Sequence, residues 1–297
     1  MNPERRAAAL LVLASLLWGA TFVAIHDLVA RVDAVTLVFV RFAIASVVLL
    51  PLGAARGRRS AAAIRAGVLS GVLGALGFVC QAIGLHDTTP ATSAFITATG
   101  SLFAGLFAWP LLHQRPTAAL LVGIAVAIAG AALLTPPTGL GLGVGESWTA
   151  LGAIAFGLQI VVLARFAPGA DPLAVTAFQA LSLALVVAPF GARGLGTVPH
   201  GGGMWLRLGY LVVAGSIIAP LCQITAQRTL PAGRVGLLLG LEPVFAAVFA
   251  VTLAGERPSH GWWLGATLIL LAVSFVEWSA TRASHASPRP TTAGTSS

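Results

Sequence analysis

Two charged side chains stand where charge is expensive. Glu242 and Arg41 each interrupt a long apolar run, and a charged group at the centre of a hydrocarbon layer costs roughly 2.5–3.5 kcal/mol on insertion scales. Such a residue must face a cavity or a partner. Glu242 is the one carboxylate placed deep in an apolar stretch. There it can load and release a proton, or act as a cap or pairing group beside Pro243, whose missing N–H invites a kink. Arg41 reads either as a contact for an anionic group or as a clamp on helix-end carbonyls or an acid. Four amides, Gln81, Gln159, Gln179 and Gln223, lie in other apolar runs. Each alone suits a hydrogen bond between helices, at about 0.6 kcal/mol apiece; as a set they suit a partly polar cavity. Thr97, Thr99 and Ser101 belong with them less strongly, because hydroxyls also bond back to their own helix. Trp18 offers a stacking face or fills the core.

Catalytic chemistry finds no constellation. The nine acids are scattered, and the six histidines fall in loops, at stretch ends or in the C-terminal tail without metal-ligand spacing. A membrane enzyme needs such groups clustered at one face. Cys80 and Cys222 sit in apolar runs and make neither a disulfide framework nor a zinc set. No phosphate-cradling Gly-rich loop or Ser nucleophile elbow occurs. No cofactor and no metal are expected.

The surroundings of these residues define the elements that hold them. Hydrophobic residues make up 57% of the chain and charged residues 9%, too few to coat a water-facing surface, since soluble domains carry about 25%. The bilayer is therefore the solvent. Apolar stretches long enough to cross the roughly 30 Å hydrocarbon layer predict ten helices, near Ala7–Ile25, Ala34–Leu52, Ile64–Leu85, Ala91–Leu112, Thr117–Leu134, Trp148–Leu163, Pro172–Pro189, Trp205–Ala226, Val235–Leu253 and Gly261–Ser279. The first begins after Arg5-Arg6 like a signal peptide, but it is long, lacks a clear cleavage site and has a partner later in the chain. It is read as a retained span. The formal net charge is +8, and all of the positive charge is arginine. Alternating the loops places twelve arginines on one side and four on the other, with Arg41 inside a span, so both termini are expected in the cytoplasm. Six of the seven tryptophans fall near span ends, where amphipathic rings favour the interface.

The chain also resembles itself. At an offset of 138, Gly19 meets Gly157, Asp33 meets Asp171, Arg41 meets Gln179 and Pro51 meets Pro189. From the third span the offset becomes 142, pairing Cys80-Gln81 with Cys222-Gln223, Phe103 with Phe245 and Pro116 with Pro258. Five spans per copy is an odd number, so the copies are expected to be inverted. Inverted halves can exchange conformations and open a central site to each side in turn. Gly67-x-x-x-Gly71 and Gly236-x-x-x-Gly240 predict close helix contacts, and Pro220 and Pro243 predict kinks.

Leu17-Trp18-Gly19-Ala20-Thr21-Phe22, Val40-Arg41-Phe42, Leu241-Glu242-Pro243-Val244-Phe245 and Gly255-Glu256-Arg257-Pro258 resemble motifs of the EamA-type transporters of the drug/metabolite transporter superfamily. The likeness covers residues 7–280. It implies a secondary carrier, often an exporter of amino acids, metabolites or toxic compounds, with a cavity between the halves. The family often carries Gly-Glu-Arg in both copies, whereas the first copy here reads His113-Gln114-Arg115-Pro116. The full expectation is an all-α polytopic membrane protein with ten transmembrane helices as two inverted five-helix repeats, 1–135 and 146–280, and a disordered cytoplasmic tail, 281–297. It would work by alternating access in a bacterial inner membrane, exporting small metabolites, amino acids or drugs, by proton antiport or as a facilitator or exchanger. Trp18, Arg41, Gln81, Gln159, Gln179, Gln223 and Glu242 would line its cavity. Its partners would be a small-molecule substrate and the lipid bilayer, with a second copy of the chain admissible and no nucleic acid.

Overall fold

The computed structural model describes residues 3–55, 60–134, 142–198, 201–230, 235 and 238–286. Among them the chain is helical and contains no strand. In order, the helices are α1 (Pro3–Val29), α2 (Ala34–Ala55), α3 (Ala61–Asp87), α4 (Pro90–Ala98), α5 (Gly100–Leu112), α6 (Ala118–Leu134), α7 (Val144–Phe166) and α8 (Pro172–Gly191). A 3₁₀ turn, Ala192–Thr197, leads to α9 (Gly202–Tyr210), a π-helical segment (Leu211–Ile218) and α10 (Ala219–Gln227), then α11 (Glu242–Leu253) and α12 (His260–Ala286). Seven helical stretches are long and apolar enough to cross a bilayer, and Ala118–Leu134, Glu242–Leu253 and His260–Val276 are shorter apolar helices. Large apolar side chains cover the outside; Val47 and Leu206 are 71% and 77% exposed. A surface of that kind is stable only against lipid, so the protein is a multi-pass membrane protein.

The helix ends follow local chemistry. Ser60, Thr89 and Asp171 lie just before α3, α4 and α8, and each side chain accepts a backbone N–H of the first turn. Pro90 and Pro172 occupy first-turn positions, where a missing N–H costs nothing. The helix from His260 runs on to Ala286, so Thr281–Ala286 are helical where a disordered tail was expected. Arg282 stacks 3.8 Å from the Trp278 ring, one turn earlier, and extends the helix past its apolar part. Residues 287–297 of the expected tail lie outside the described residues.

Packing relies on small residues. Gly67 and Gly71 face α8, where an added Cβ would come within 2.5 Å of Phe178 Cβ and of Gln179 O respectively; the second expected glycine pair includes Gly236, outside the described residues. Gly130 of α6 and Gly265 of α12 abut each other's carbonyl oxygens. One apolar core joins α1, α2, α3, α8 and α9 around Phe22, Leu49, Leu183 and Leu208. A second joins α4, α5, α6, α11 and α12 around Phe95, Leu102, Leu120 and Ile269.

Two stretches expected as single spans are interrupted. The run from Pro90 to Leu112 bends at Thr99 (φ −63°, ψ −14°) between α4 and α5. The run ending at Leu253 bends at Gly240–Leu241 (Leu241 φ −76°, ψ −18°) before α11. Thr99 and Leu241 are 142 residues apart, the same interval that pairs Phe103 with Phe245. The Thr99 hydroxyl donates to Ile96 O at 2.6 Å, and Ser15 of α1 donates to Leu238 O at 3.1 Å. At each bend a hydroxyl thus adds a second hydrogen bond to a carbonyl that already accepts the backbone N–H three residues on, Thr99 N to Ile96 O and Leu241 N to Leu238 O.

Candidate functional site

The candidate residues are positioned by α1, whose neighbouring positions look in different directions. Gly19 faces α11: an added Cβ would lie 2.8 Å from Phe245 Cβ, 2.9 Å from Ala246 N and 3.1 Å from Glu242 O. Trp18, one step around the helix, is half-buried and donates its indole N–H to Gly215 O at 3.0 Å in the π-helical segment. One turn of α1 therefore touches both the bend that carries Glu242 and the segment that meets Arg41.

Gly157 of α7 repeats the first contact. A Cβ there would lie 2.6 Å from Gly100 O, 2.9 Å from Phe103 Cβ and 3.0 Å from Ala104 N. Gly157 follows Gly19 by 138 residues, and Gly100, Phe103 and Ala104 precede Glu242, Phe245 and Ala246 by 142. The same three kinds of backbone and Cβ atoms surround both glycines. Neither position has room for a larger residue while the helices keep this approach.

Arg41 is 2% exposed, among the largest fully enclosed side chains. Its Nε donates to Ser216 Oγ at 2.6 Å, and its guanidinium lies 4.9 Å from the ring centres of both Phe42 and Phe78. Such cation–π contacts stabilise a cation most where water is excluded. Ser216 in turn donates to Leu211 O at 2.9 Å, five residues back, the spacing of a π turn. Tyr210 at the start of this segment donates to Leu17 O at 2.7 Å. Arg41 thus binds α2 to the widened turn of the neighbouring stretch, as a clamp would, yet its Nη2 is buried with no partner. The other buried side-chain atom without a partner among the described residues is Gln179 Oε1, at the position 138 residues on. A buried polar group left without a hydrogen bond costs about 1–3 kcal/mol, so Arg41 Nη2 is a donor and Gln179 Oε1 an acceptor still open to a partner.

Glu242 opens α11 and is partly accessible to solvent. Its carboxylate has no hydrogen bond or ion pair among the described residues. The free N–H groups and positive end of the helix favour an anion there. At the equivalent place in the first half stands Gly100, which brings no charge.

The amides are spread out. Gln159 Nε2 donates to Ser70 O at 2.8 Å, joining α7 to α3, and Gln81 Nε2 donates to Thr97 Oγ1 at 3.3 Å, joining α3 to α4. Gln179 lies along the α3–α8 contact. Gln223 is half-buried on α10 without a hydrogen bond among the described residues. Trp18 and Arg41 therefore converge on Gly215–Ser216, Glu242 stands on the other side of α1, and Gln81 and Gln159 already bond neighbouring helices. Sequence reasoning missed Ser216, Tyr210 and Ser15, since a lone hydroxyl in an apolar run carries no sign of a distant partner. Two grooves of about 500 and 300 Å³ lie elsewhere, on α3 and α8; exposed Ile64, Val68, Leu69, Leu185 and Val186 mark them as lipid-facing.

The EamA-like transporter family matches residues 5–135 and again 143–278. An uncharacterized transporter of Archaeoglobus fulgidus is 26% identical over 266 residues, covering 90% of this chain and 84% of its own. The uncharacterized inner membrane transporter YedA of Escherichia coli K12 is 26% identical over 271 residues, covering 88% of this chain and 87% of its own. A crystal structure at 21% identity superposes with a TM-score of 0.67 over 93% of this chain and 98% of that one, a likeness of fold.

Proposed function

Because the chain belongs to the EamA-like transporter family, we propose that it is a secondary carrier that moves small molecules by alternating access. The ten apolar stretches are ten spans, arranged as two inverted five-helix repeats, 1–135 and 146–280. The family's two successive matches support this division. The observation that carries the mechanism is the mirrored pair of bends at Thr99 and Leu241, each beside a close-packed glycine, Gly157 or Gly19. Interrupted helices at corresponding places in two halves mark the substrate region in carriers of this architecture. In an inverted pair they let each half adopt the other's conformation, which moves the opening from one face to the other.

The arginine bias orients both termini to the cytoplasm, and the bacterial inner membrane, where YedA resides, is the setting. The substrate is a small metabolite, amino acid or drug, exported from the cell. Trp18, Arg41, Gln81, Gln159, Gln179, Gln223 and Glu242 surround its path, with Glu242 as the coupling group of a proton antiport. A carboxylate without a partner at a helix start, on the face of α1 away from Arg41, has the freedom to exchange a proton with solvent or substrate. The tail beyond the last helix is cytoplasmic.

The test uses purified protein in proteoliposomes with an internal pH dye, challenged with amino acids, amphipathic metabolites and cationic drugs. Wild-type protein gives a substrate-evoked proton flux, and Glu242→Gln abolishes it. Substrate movement without protons in both proteins would overturn the role given to Glu242. No substrate movement at all would overturn the carrier reading.

A further inference from the structure

A second carboxylate lies outside the spans and outside the pathway just described. Glu256 is half-buried in the loop between α11 and α12, and its Oε1 accepts the Ala91 N–H at 3.2 Å. Pro90 has no N–H, so Ala91 supplies the first donor that α4 can offer. A link 165 residues long in sequence therefore holds the free end of a half-helix. Further contacts pin the same end. Thr88 donates to Glu146 of α7 at 2.6 Å, the Ser93 and Thr149 hydroxyls lie 3.3 Å apart, and Trp262 of α12 donates to Thr92 at 2.9 Å. The other end of α4 is the Thr99 bend. α4 is thus a nine-residue lever, hinged inside the membrane and fastened at its tip by polar bonds to elements of the second half. Among the described residues flanking the corresponding place in the other half, Ala8, Leu11, Leu230 and Val235 pack together, and the counterpart of Glu256 is the neutral Gln114.

We propose that Glu256 is a proton-binding latch on the outer face: proton uptake there holds the α4 half-helix shut, and proton loss frees it to swing about the Thr99–Gly100 bend. This rests on the carrier reading and on the orientation given above. The sense of the effect follows from burial. With the lever closed, removal from water pushes the Glu256 carboxyl up from its ordinary range. The Ala91 N–H, the Thr89 hydroxyl and His26 of α1 oppose this but do not outweigh it. With the lever open the group is solvated and its ordinary affinity returns. The closed state therefore binds the proton more tightly, and its added stability, present at low pH, is lost as pH rises through the raised value. Other charged groups around this loop are the paired His86 and Asp87 of α3, Glu146 of α7, Arg257 and His260 beside the loop, and Asp27 next to His26, itself paired with Arg207. Arg31, Asp33 and Arg193 stand exposed on the same face, and a protonated His26 acts against the latch. Proton binding that closes the outer gate is the step an antiporter needs before it returns to the cytoplasmic side.

Hydrogen exchange of the α4 amides tests this on the full chain in lipid nanodiscs, between about pH 5 and about pH 8, scaled to the α8 amides of the same sample. Scaling removes the intrinsic pH dependence of exchange. The wild-type ratio rises with pH, by up to about tenfold for each unit that closure raises the Glu256 pKa. Glu256→Gln, a permanently neutral latch, keeps α4 protected at both ends of the range. A wild-type ratio that does not change with pH overturns the proposal even if the variant fails to fold, and a variant that follows wild type overturns it as well. The measurement needs no substrate, so its failure is separate from a failure of the carrier reading, which the proteoliposome flux decides.

Discussion

Replacing Gly19 by alanine tests the close packing on which the mirrored arrangement depends. The new methyl would stand 2.8 Å from Phe245 Cβ and 2.9 Å from Ala246 N, well inside the roughly 3.5–4.0 Å of an ordinary contact. Both neighbours are backbone or Cβ atoms of α11, so no side-chain rotation relieves the clash and α1 must move away by most of an ångström. Overpacking of this kind costs about 1–3 kcal/mol. Gly157→Ala meets the same geometry, at 2.6 Å from Gly100 O and 2.9 Å from Phe103 Cβ, and is expected to cost a similar amount. The control is Gly209 on α9, where a methyl meets nothing within 4 Å; alanine there stabilises by about 0.4–1 kcal/mol through lower chain entropy and better helix propensity. The assay is equilibrium unfolding of the purified protein in a fixed mixed micelle, followed by far-UV circular dichroism. The order expected is Gly209→Ala above wild type, with Gly19→Ala and Gly157→Ala below it by comparable steps. If Gly19→Ala matched Gly209→Ala, the close approach of α1 to the Glu242 bend would be refuted.

Three further outcomes follow from individual contacts. Ser216→Ala leaves Arg41 Nε buried without an acceptor and costs about 1–3 kcal/mol by the same unfolding assay. Arg41→Lys costs more, since lysine cannot reproduce the planar stacking between Phe42 and Phe78. Gln159→Leu removes the bond to Ser70 O and lowers stability by about 0.6 kcal/mol, the usual size for a hydrogen bond between membrane helices. A substrate flux that survived this last change at the wild-type rate would place Gln159 outside the transport path.

Much of the architecture is legible in the sequence because lipid imposes a simple rule. A crossing helix needs a long apolar run, and runs such as Ala34–Leu52 and Ile64–Leu85 fall within the helices Ala34–Ala55 and Ala61–Asp87. Polar interruptions within these runs marked Arg41 and Glu242 at once, since charge in hydrocarbon must have a reason. The bend at Thr99 was not legible. Thr97–Ser101 reads as a slightly polar patch in a continuous run, and only the 142-residue equivalence with the Pro243 region hinted at it. The π-helical widening at Leu211–Ile218 left no mark either, because it depends on Arg41 and Ser216 meeting across 175 residues. The last helix outran its apolar part, as Arg282 stacking on Trp278 replaces hydrophobic burial there. Glu256 was visible as part of a motif, but its bond to the tip of α4 depends on tertiary structure alone.

The central claim, that two mirrored halves exchange conformations, is tested most directly by two distances measured in one protein. Asp87 and Ser259 are exposed on the face given as outer, and their counterparts at an interval of 142, Thr229 and Thr117, are exposed on the face given as inner. Spin labels at each pair, with the buried Cys80 and Cys222 replaced by alanine, report the two gates by pulsed electron resonance in nanodiscs. The account predicts opposite changes: conditions that lengthen Asp87–Ser259 shorten Thr117–Thr229. Distances that stay fixed under every condition, or that lengthen together, would contradict it.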